Sequence, residues 1–283
     1  MKFSTQVSIE ELPVRLEKGD KVMVLGSCFA DNIGSRLPDA GFDARINPFG
    51  TLYNPASILK AVERLDSGTP FGQEDCVEMG AGAGLVCSFS HHTSFARPDA
   101  DIFLKNANKA LEDASAFWKE CGKVIITLGT AFVWKHDGEV VSNCLKRPSR
   151  EFEREMLGID GCRDMLEALI AGHPDKQFII TVSPIRHMSD GAHSNTLSKA
   201  TLQLACAQAV SGKANACYFP AFELMMDELR DYRFYADDLV HPSGMAVQYI
   251  WERFVEAAVP EQDRQSLHEA EKTARAQRHR PLH

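Results

Sequence analysis

Two residues near opposite ends of the chain have the settings that acyl transfer requires. Ser27 directly follows an apolar segment that ends at Gly26, and a stretch with helical apolar spacing comes after it. His241 lies three residues after Asp238, in the segment DDLVH. A serine hydroxyl is a weak nucleophile until a base removes its proton, and imidazole suits that task because its ordinary pKa is near neutrality. The three residue types therefore indicate a Ser–His–Asp hydrolase or acyltransferase.

The Asp-x-x-His spacing lets one short turn bring the carboxylate to the imidazole ring, which fixes the tautomer of the ring. Asp237 is an alternative partner, but the spacing favours Asp238. A serine at the start of a helix also has free backbone N–H groups beside it, and these can hold a developing oxyanion. Each residue alone has an ordinary structural explanation, since Ser27 can cap a helix and His241 can lead into one. The prediction therefore depends on their combination.

Cys28 is an alternative nucleophile, because its thiol also lies at the predicted start of a helix. It comes one residue after the expected position, and its side chain should point in a different direction, so Ser27 is preferred. The chain has eight cysteines, and none forms a C-x-x-C pair. Most of them lie in apolar segments and are expected to be small buried core residues.

The composition fits a globular protein and argues against some partners. The 283 residues carry a formal net charge of −8, with a sequence pI of about 5.7. A negative surface repels a nucleic-acid backbone, so nucleic acid is not expected as a partner. No stretch approaches the roughly 20 apolar residues of a membrane helix, so membrane insertion is not expected either. The N-terminal segment lacks the apolar run of a secretory signal, which favours a cytoplasmic location.

Predicted strands and helices alternate along the chain. Short apolar or alternating runs predict strands, at 21–26, 42–46, 84–90, 123–128, 177–184 and 216–220. Amphipathic spacing predicts helices at 28–37, 55–65, 99–121, 150–171 and 195–211, with a last one from about 243. A hairpin is predicted to turn at Asp137–Gly138. The pattern predicts a three-layer α/β/α sandwich around a parallel sheet, with one domain over 1–258 and a charged tail over 259–283.

Ligands of open parallel sheets bind at the carboxyl ends of the strands. Residues that directly follow the predicted strands should therefore come together, namely Ser27, Gly50, Gly129–Thr130, Arg186–His187 and, near the C-terminus, His241. Arg186 has two interpretations, as a group that binds an anion or a sugar and as a member of a structural ion pair. The histidines of the loops lack the H-x-x-x-H spacing of a metalloprotease, so they are expected to contact substrate or solvent rather than a metal.

The string GSCFA at residues 26–30 resembles the signature of the GSCFA family, which lies within the SGNH (GDSL-like) hydrolase superfamily. The segments NPFGTLYNP, ITLGTAFVW and VSPIRH resemble further parts of that family, and the similarity covers roughly residues 3–255. The resemblance implies a flavodoxin-like fold and an esterase, lipase, carbohydrate deacetylase or acyltransferase that needs no metal or other cofactor. The implied substrate is a small-molecule or glycan ester, and the oligomeric state stays open.

The resemblance also implies roles for individual residues. The nucleophile falls on Ser27, the acid and base on Asp238 and His241, and an oxyanion glycine on Gly50, with the N–H of Ser27 beside it. In the first motif the serine follows Gly26 directly, where the superfamily has an aspartate between the two.

The third motif of the superfamily is Gly-x-Asn, whose amide is an oxyanion donor, and here it reads Gly129-Thr130-Ala131. Thr130 or Asn143 is the expected substitute for the missing amide, and Arg186 and His187 are expected to contact the substrate. The missing amide gives weight to a second interpretation, in which the domain is a catalytically weak module that binds a glycan or a partner protein.

Overall fold

A computed structural model describes residues 4–278 of the chain. Its strands are β1 (Lys21–Gly26), β2 (Asp43–Ile46), β3 (Val77–Glu78), β4 (Val86–Cys87), β5 (Lys123–Leu128), β6 (Phe132–His136), β7 (Glu139–Val141), β8 (Glu153–Met156), β9 (Gln177–Val182) and β10 (Ala216–Tyr218). Its α-helices are α1 (Cys28–Gly34), α2 (Arg36–Asp39), α3 (Pro55–Ser67), α4 (Ala100–Glu120), α5 (Ile159–Gly172), α6 (Ala192–Val210), α7 (Ala221–Glu223), α8 (Gly244–Ala258) and α9 (Glu261–Arg278). None of these helices is both long and apolar enough to span a membrane.

Five parallel strands form the central sheet, in the order β10-β9-β5-β1-β2. Strand β5 lies between β1 and β9, so the loops that follow these three strands leave the same edge of the sheet side by side. The predicted α/β architecture with a parallel sheet flanked by helices is confirmed. Buried β-branched residues fill the three central strands, as expected for strands covered on both faces.

Alternate residues of each strand pack against different helices, because successive side chains of a strand point to opposite faces. Met23 and Leu25 of β1 belong to one hydrophobic cluster, which includes residues of α3, α4, α5 and α6. Val22 and Val24 belong to the second cluster, with residues of α1, α2, α8 and α9. The arrangement is compatible with a three-layer sandwich.

A small antiparallel sheet, in the order β7-β6-β8, differs from the prediction of one helix over 150–171. The helix begins only at Ile159, after Gly158 as its N-cap, and Glu153–Met156 pair with β6 instead. In this pairing Arg154 lies opposite Trp134, and its guanidinium packs over the Trp134 ring. This contact joins distant parts of the chain, so the local sequence does not predict it. The predicted hairpin at Asp137–Gly138 does connect β6 and β7.

The strand predicted over 84–90 is likewise only partly present. Val86–Cys87 pair with Val77–Glu78 as a two-stranded ribbon and do not join the central sheet. Val86 also pairs with Arg97 in an isolated antiparallel bridge, so the segment pairs locally rather than with the central strands.

The charged tail predicted over 259–283 includes helix α9, whose residues up to Arg278 are described. Leu267 is 3% exposed and packs in the second hydrophobic cluster, and Glu271 accepts a hydrogen bond from Trp251 Nε1 at 2.6 Å. The helix therefore lies against α2 and α8. A boundary between domain and tail at residue 258 stays a prediction.

Candidate active site

Asp238 and His241 are hydrogen-bonded to each other. Asp238 Oδ2 lies 2.6 Å from His241 Nδ1, and Oδ1 accepts from the backbone N–H groups of His241 and Val240, both at 2.9 Å. The backbone N–H of His241, that of Val240 and the ring together lower the pKa of Asp238 to about 2, so the carboxylate is ionised at neutral pH. An ionised carboxylate can only accept, so Nδ1 carries the proton and Nε2 of a neutral ring is left as an acceptor. Nε2 can thus act as a base.

A tight loop carries this pair. The N–H of Leu239 donates to Ala236 O at 2.9 Å, and the N–H of Ala236 donates to His241 O at 2.8 Å. Leu239 has a φ of 56°, which closes the turn between carboxylate and ring. Arg186 Nη1 donates to Leu239 O at 3.2 Å, so the loop after β9 holds the loop that carries the base.

Ser27 lies at the junction of β1 and α1 and is fully buried. Its hydroxyl caps its own helix by accepting from Phe29 N–H at 3.3 Å, and its Oγ lies 3.1 Å from Thr127 Oγ1. Its backbone N–H donates to Thr127 O and Thr127 Oγ1, at 3.0 and 3.1 Å. Thr127 of β5 therefore contacts both the hydroxyl and the backbone N–H of Ser27. Among the described residues, no hydrogen bond joins Ser27 to His241.

The close approach of β1 and β5 explains the glycine before Ser27. Gly26 has a φ of 141°, and a Cβ at this position would lie 2.1 Å from Thr127 O. Only a residue without a side chain fits there, so Gly26 sets the turn that places residues 27 and 28.

A cleft of about 330 Å³ opens at the carboxyl ends of the central strands. His241, His187 and Arg186 line it together with Cys28 and Tyr53, whereas Ser27 does not. Cys28 is half-buried, and its Sγ lies 3.5 Å from Tyr53 Oη. Sequence reasoning expected the side chain of Cys28 to point differently from that of Ser27, and the direction it takes is towards this cleft.

The predicted oxyanion donors are paired within the fold. The N–H of Gly50 donates to Asn47 O at 2.7 Å, in a turn where the glycine has a φ of 85°. The N–H of Ser27 is held by Thr127, as described above. In contrast, the backbone N–H of Cys28 donates to no other residue within 4–278. The N–H of Cys28 is thus a backbone donor at the cleft without an acceptor among these residues, as are those of Tyr53 and Asn54.

The two proposed substitutes for the missing amide are also engaged elsewhere. Thr130 lines the cleft, but its hydroxyl lies 3.0 Å from Ser198 Oγ and accepts from Phe132 N–H at 3.1 Å. Asn143 Oδ1 accepts from Leu145 N–H at 2.8 Å within a turn, and Asn143 is not among the residues that line the cleft. The structure therefore brings Thr130 to the cleft and leaves Asn143 outside it.

His187 reaches the floor of the cleft beside Ser27. A Cβ on Gly129 would lie 3.1 Å from His187 Nε2 and 3.3 Å from Ser27 Cβ, so both groups pack closely against this glycine. The buried Nε2 has no hydrogen-bond partner among the described residues. Burial, aided by the charge of Lys199, lowers the pKa of His187 to about 4, so the ring is neutral at neutral pH.

Lys199 of α6 supports the same floor from below. It is 2% exposed, and its Nζ donates to Gly129 O at 2.6 Å and to Ser183 O at 2.7 Å. Burial lowers its pKa to about 7. The lysine thus ties the end of β5 to the end of β9.

The opposite wall of the cleft is aromatic. Phe132 and Trp134 of β6 face it, and the Arg154 guanidinium lies over both rings, at 4.8 and 4.5 Å. Arg154 Nε also donates to Asp190 Oδ1 at 2.8 Å, so its charge is neutralised. The wall therefore consists of two aromatic rings with a guanidinium packed over them.

Sequence reasoning missed Thr127, Tyr53 and Lys199. Lys199 had a usable signal, since it falls on the helical face of α6 that also carries Leu202 and Cys206. Thr127 had none, because its contact with Ser27 joins residues 100 positions apart. Within residues 4–278, no three His, Cys, Asp or Glu side chains are grouped so that they could hold a metal ion.

Comparison with known proteins gives one sequence match and a distant structural likeness. A model of the GSCFA family matches residues 21–254. No curated protein matches the chain. A solved structure described as a candidate platelet activating factor from Streptococcus pneumonia is similar over 84% of this chain and 83% of that chain, with 10% identity and a TM-score of 0.45. A likeness at this level decides nothing about the chemistry of the present chain.

Proposed function

The chain belongs to the GSCFA family, and from this premise we propose that it is an ester hydrolase or acyltransferase of the SGNH type on a flavodoxin-like fold. The observation that carries the proposal is the Asp238–His241 hydrogen bond of 2.6 Å at a cleft on the carboxyl edge of the parallel sheet. Such a pair converts an alcohol or thiol into a nucleophile, and the edge is where open α/β sheets bind their ligands.

The reaction begins with attack on the ester carbonyl carbon by a side chain at the junction of β1 and α1. His241 Nε2 accepts the proton of that side chain and later gives it to the leaving alcohol. Asp238 stabilises the imidazolium that forms in between. Water then attacks the acyl-enzyme in a hydrolase, and an acceptor hydroxyl does so in a transferase.

Ser27 is the nucleophile that the sequence predicts. To serve, its hydroxyl must leave Thr127 Oγ1 and the N–H of Phe29, since both contacts hold it away from the cleft. A rotation about χ1 of this kind is compatible with an enzyme whose catalytic hydrogen bonds form only when substrate is bound.

Negative charge on the carbonyl oxygen needs hydrogen-bond donors in place of the missing amide at Ala131. We assign this role to the N–H of Cys28 and to the buried Nε2 of His187, neither of which has a partner within residues 4–278. A neutral imidazole can carry its proton on Nε2 and donate it without bearing charge itself. Loss of one such donor typically costs about 10²–10³ in turnover.

The aromatic wall of the cleft supports a substrate that presents an uncharged ring. Arg154 is neutralised by Asp190, and Phe132 and Trp134 offer flat apolar surface. An O-acylated sugar presents an ester beside a ring that can stack on such surface. A glycan ester is the substrate class that we propose, by analogy with the superfamily.

The decisive experiment measures hydrolysis of p-nitrophenyl acetate by the wild type and by Asp238→Asn, with Asp237→Asn as the matched control. We expect Asp238→Asn to lose about 10²–10⁴ in kcat, because the amide no longer fixes the ring in its basic tautomer. Asp237→Asn, one residue away and exposed, should keep the wild-type rate. Equal rates in both variants would contradict the proposed role of the pair.

A second function is favoured by the paired oxyanion donors. The N–H groups of Gly50 and Ser27 are held within the fold, and Ala131 has replaced the donor amide. A domain without an oxyanion site would bind an acylated glycan without cleaving it. This alternative would be established if the folded wild type is retained on a column of acetylated glycan and hydrolyses no ester.

A further inference from the structure

We propose that Cys28, and not Ser27, is the catalytic nucleophile of the cleft. The inference rests on the proposed acyl-transfer function and assigns its first bond-forming step to a thiol. The juxtaposition that carries it is a half-buried cysteine in the same cleft as a hydrogen-bonded imidazole–carboxylate pair.

Ser27 already has a complete structural role. It is fully buried, its hydroxyl caps α1 through Phe29 N–H, and Thr127 takes up both its hydroxyl and its N–H. A hydroxyl that caps a helix stabilises that helix, so its withdrawal during each turnover would cost stability at the start of α1. Ser27 thus serves as the N-cap of α1, and none of its surface is exposed to a substrate.

Cys28 has the opposite environment. Its side chain lines the cleft with His241 and Tyr53, and its own N–H is free of partners within the described chain. Thr51 Oγ1 donates to Tyr53 Oη at 3.2 Å, which leaves the phenol proton for the sulfur 3.5 Å away. A phenol that donates towards sulfur suits a sulfur that has given its proton to a base.

The other cysteines lack this combination. Five of them are buried, namely Cys87, Cys121, Cys162, Cys206 and Cys217. Cys76 and Cys144 are half-buried, but neither is among the residues that line the cleft. Cys28 is therefore the cysteine that lines the cleft of His241.

The first step is S-acylation of Cys28 by the ester. His241 takes the proton of Cys28, the Sγ–carbonyl carbon bond forms, and the ester C–O bond breaks as the alcohol leaves with that proton. His241 then takes a proton from water as the water oxygen attacks the thioester carbon. The Sγ–carbon bond breaks, the imidazolium returns its proton to Sγ, and the carboxylic acid leaves. Both half-reactions balance without an oxidant, a reductant or a metal.

The test quenches the enzyme during turnover of p-nitrophenyl acetate and locates the acetyl group by mass spectrometry of peptides. We expect it on Cys28, and we expect neutral hydroxylamine to remove it, because thioesters react under conditions in which oxygen esters persist. Cys28→Ala should lose at least about 10³ in kcat, as expected when a nucleophile is removed. Ser27→Ala should still form the adduct on Cys28.

Two further variants guard the result. Cys28→Ser keeps a hydroxyl at the same place, so its adduct should survive neutral hydroxylamine and turn over more slowly. Cys144→Ala, a half-buried cysteine away from the cleft, should match the wild type. An acetyl group on Ser27, or full turnover by folded Cys28→Ala, would overturn the inference and leave the ester chemistry standing. No adduct and no turnover in the wild type would remove the proposed function and the inference together.

Discussion

His187 carries a buried ring nitrogen with no hydrogen-bond partner in the described part of the chain, and such an atom normally costs about 1–3 kcal/mol of stability. His187 lines the cleft and its Nε2 lies beside Gly129, so we expect a substrate oxygen to supply the missing partner. The backbone N–H of His187 is bound to Asn195 Oδ1 at 2.8 Å, so the ring is held by its main chain while its edge stays available.

Replacement of His187 by leucine should lower kcat for p-nitrophenyl acetate by about 10²–10³ and change KM little, since the contact forms with the developing charge. His187→Gln, which keeps a donor, should recover part of the loss. His193→Leu, on the same segment but exposed, is the control and should match the wild type. A large rise in KM with an unchanged kcat would mean that His187 only binds substrate.

The site could be predicted from the sequence where its contacts are local. Asp238 and His241 meet because they are only three positions apart, which lets one short turn join them. The environment of Ser27 could not be predicted, because Thr127 reaches it from another strand. Which of two adjacent side chains faces a cleft depends on how a helix leaves its strand, and a motif of five letters does not contain that angle.

At the scale of elements, β1 and β5 approach each other so closely that residue 26 has no room for a side chain. Gly26→Ala should therefore cost far more free energy of unfolding than the roughly 1–2 kcal/mol of left-handed backbone strain alone, because its Cβ would meet Thr127 O. Gly19→Ala is the matched control: its φ is 93°, and nothing lies within 4 Å of its Cβ. Urea unfolding of both variants measures the difference, and equal losses would show that strain alone decides.

Lys199 joins the ends of β5 and β9, and its protonation should appear in the stability of the fold. The ammonium loses its proton near pH 7 in the folded chain and near its ordinary pKa of 10.5 in the unfolded chain. Between these values the unfolded chain binds more protons, so the free energy of unfolding rises with pH, by at most about 1.4 kcal/mol per unit.

Lys199→Met removes this contribution. In urea unfolding at pH 7, 8 and 9, the free energy of unfolding of the wild type should therefore rise relative to that of the variant as the pH rises. Lys105→Met, at an exposed position of α4, should keep a constant difference from the wild type. A constant difference for Lys199→Met as well would mean that the lysine is charged in the fold throughout this range.

The spacing of apolar residues predicts most strands and helices correctly, and the wrong predictions have a common cause. The strands β1, β5 and β9 are continuous buried runs, and their predicted positions agree with the structure. Strand β8 reads EREM, which has no apolar alternation, and it is a strand only because β6 pairs with it. Pairing partners distant in sequence are the information that periodicity lacks.

The whole molecule keeps two hydrophobic clusters, one on each face of the sheet, and α9 contributes to one of them. Leu267→Ala should cost about 2–5 kcal/mol if that packing persists in solution, as for other buried leucines. Leu204→Ala, at a position that is 50% exposed on α6, should cost almost nothing. Thermal unfolding compares the two, and a neutral Leu267→Ala would mean that the last helix behaves as the charged tail that its composition predicts.

The base lies in a loop, whereas the candidate nucleophiles follow a strand whose backbone is hydrogen-bonded on both sides. Ser27 and Cys28 follow a central strand that is hydrogen-bonded on both sides, whereas residues 231–243 contain one short turn of 3₁₀ helix and one isolated bridge, with Leu239 half-exposed. In deuterated water, amide protons of that loop should exchange early and those of β5 late. A covalent inhibitor that fills the cleft and presses on His241 would then slow exchange in the loop alone, and this protection would report occupancy of the cleft without any assay of turnover.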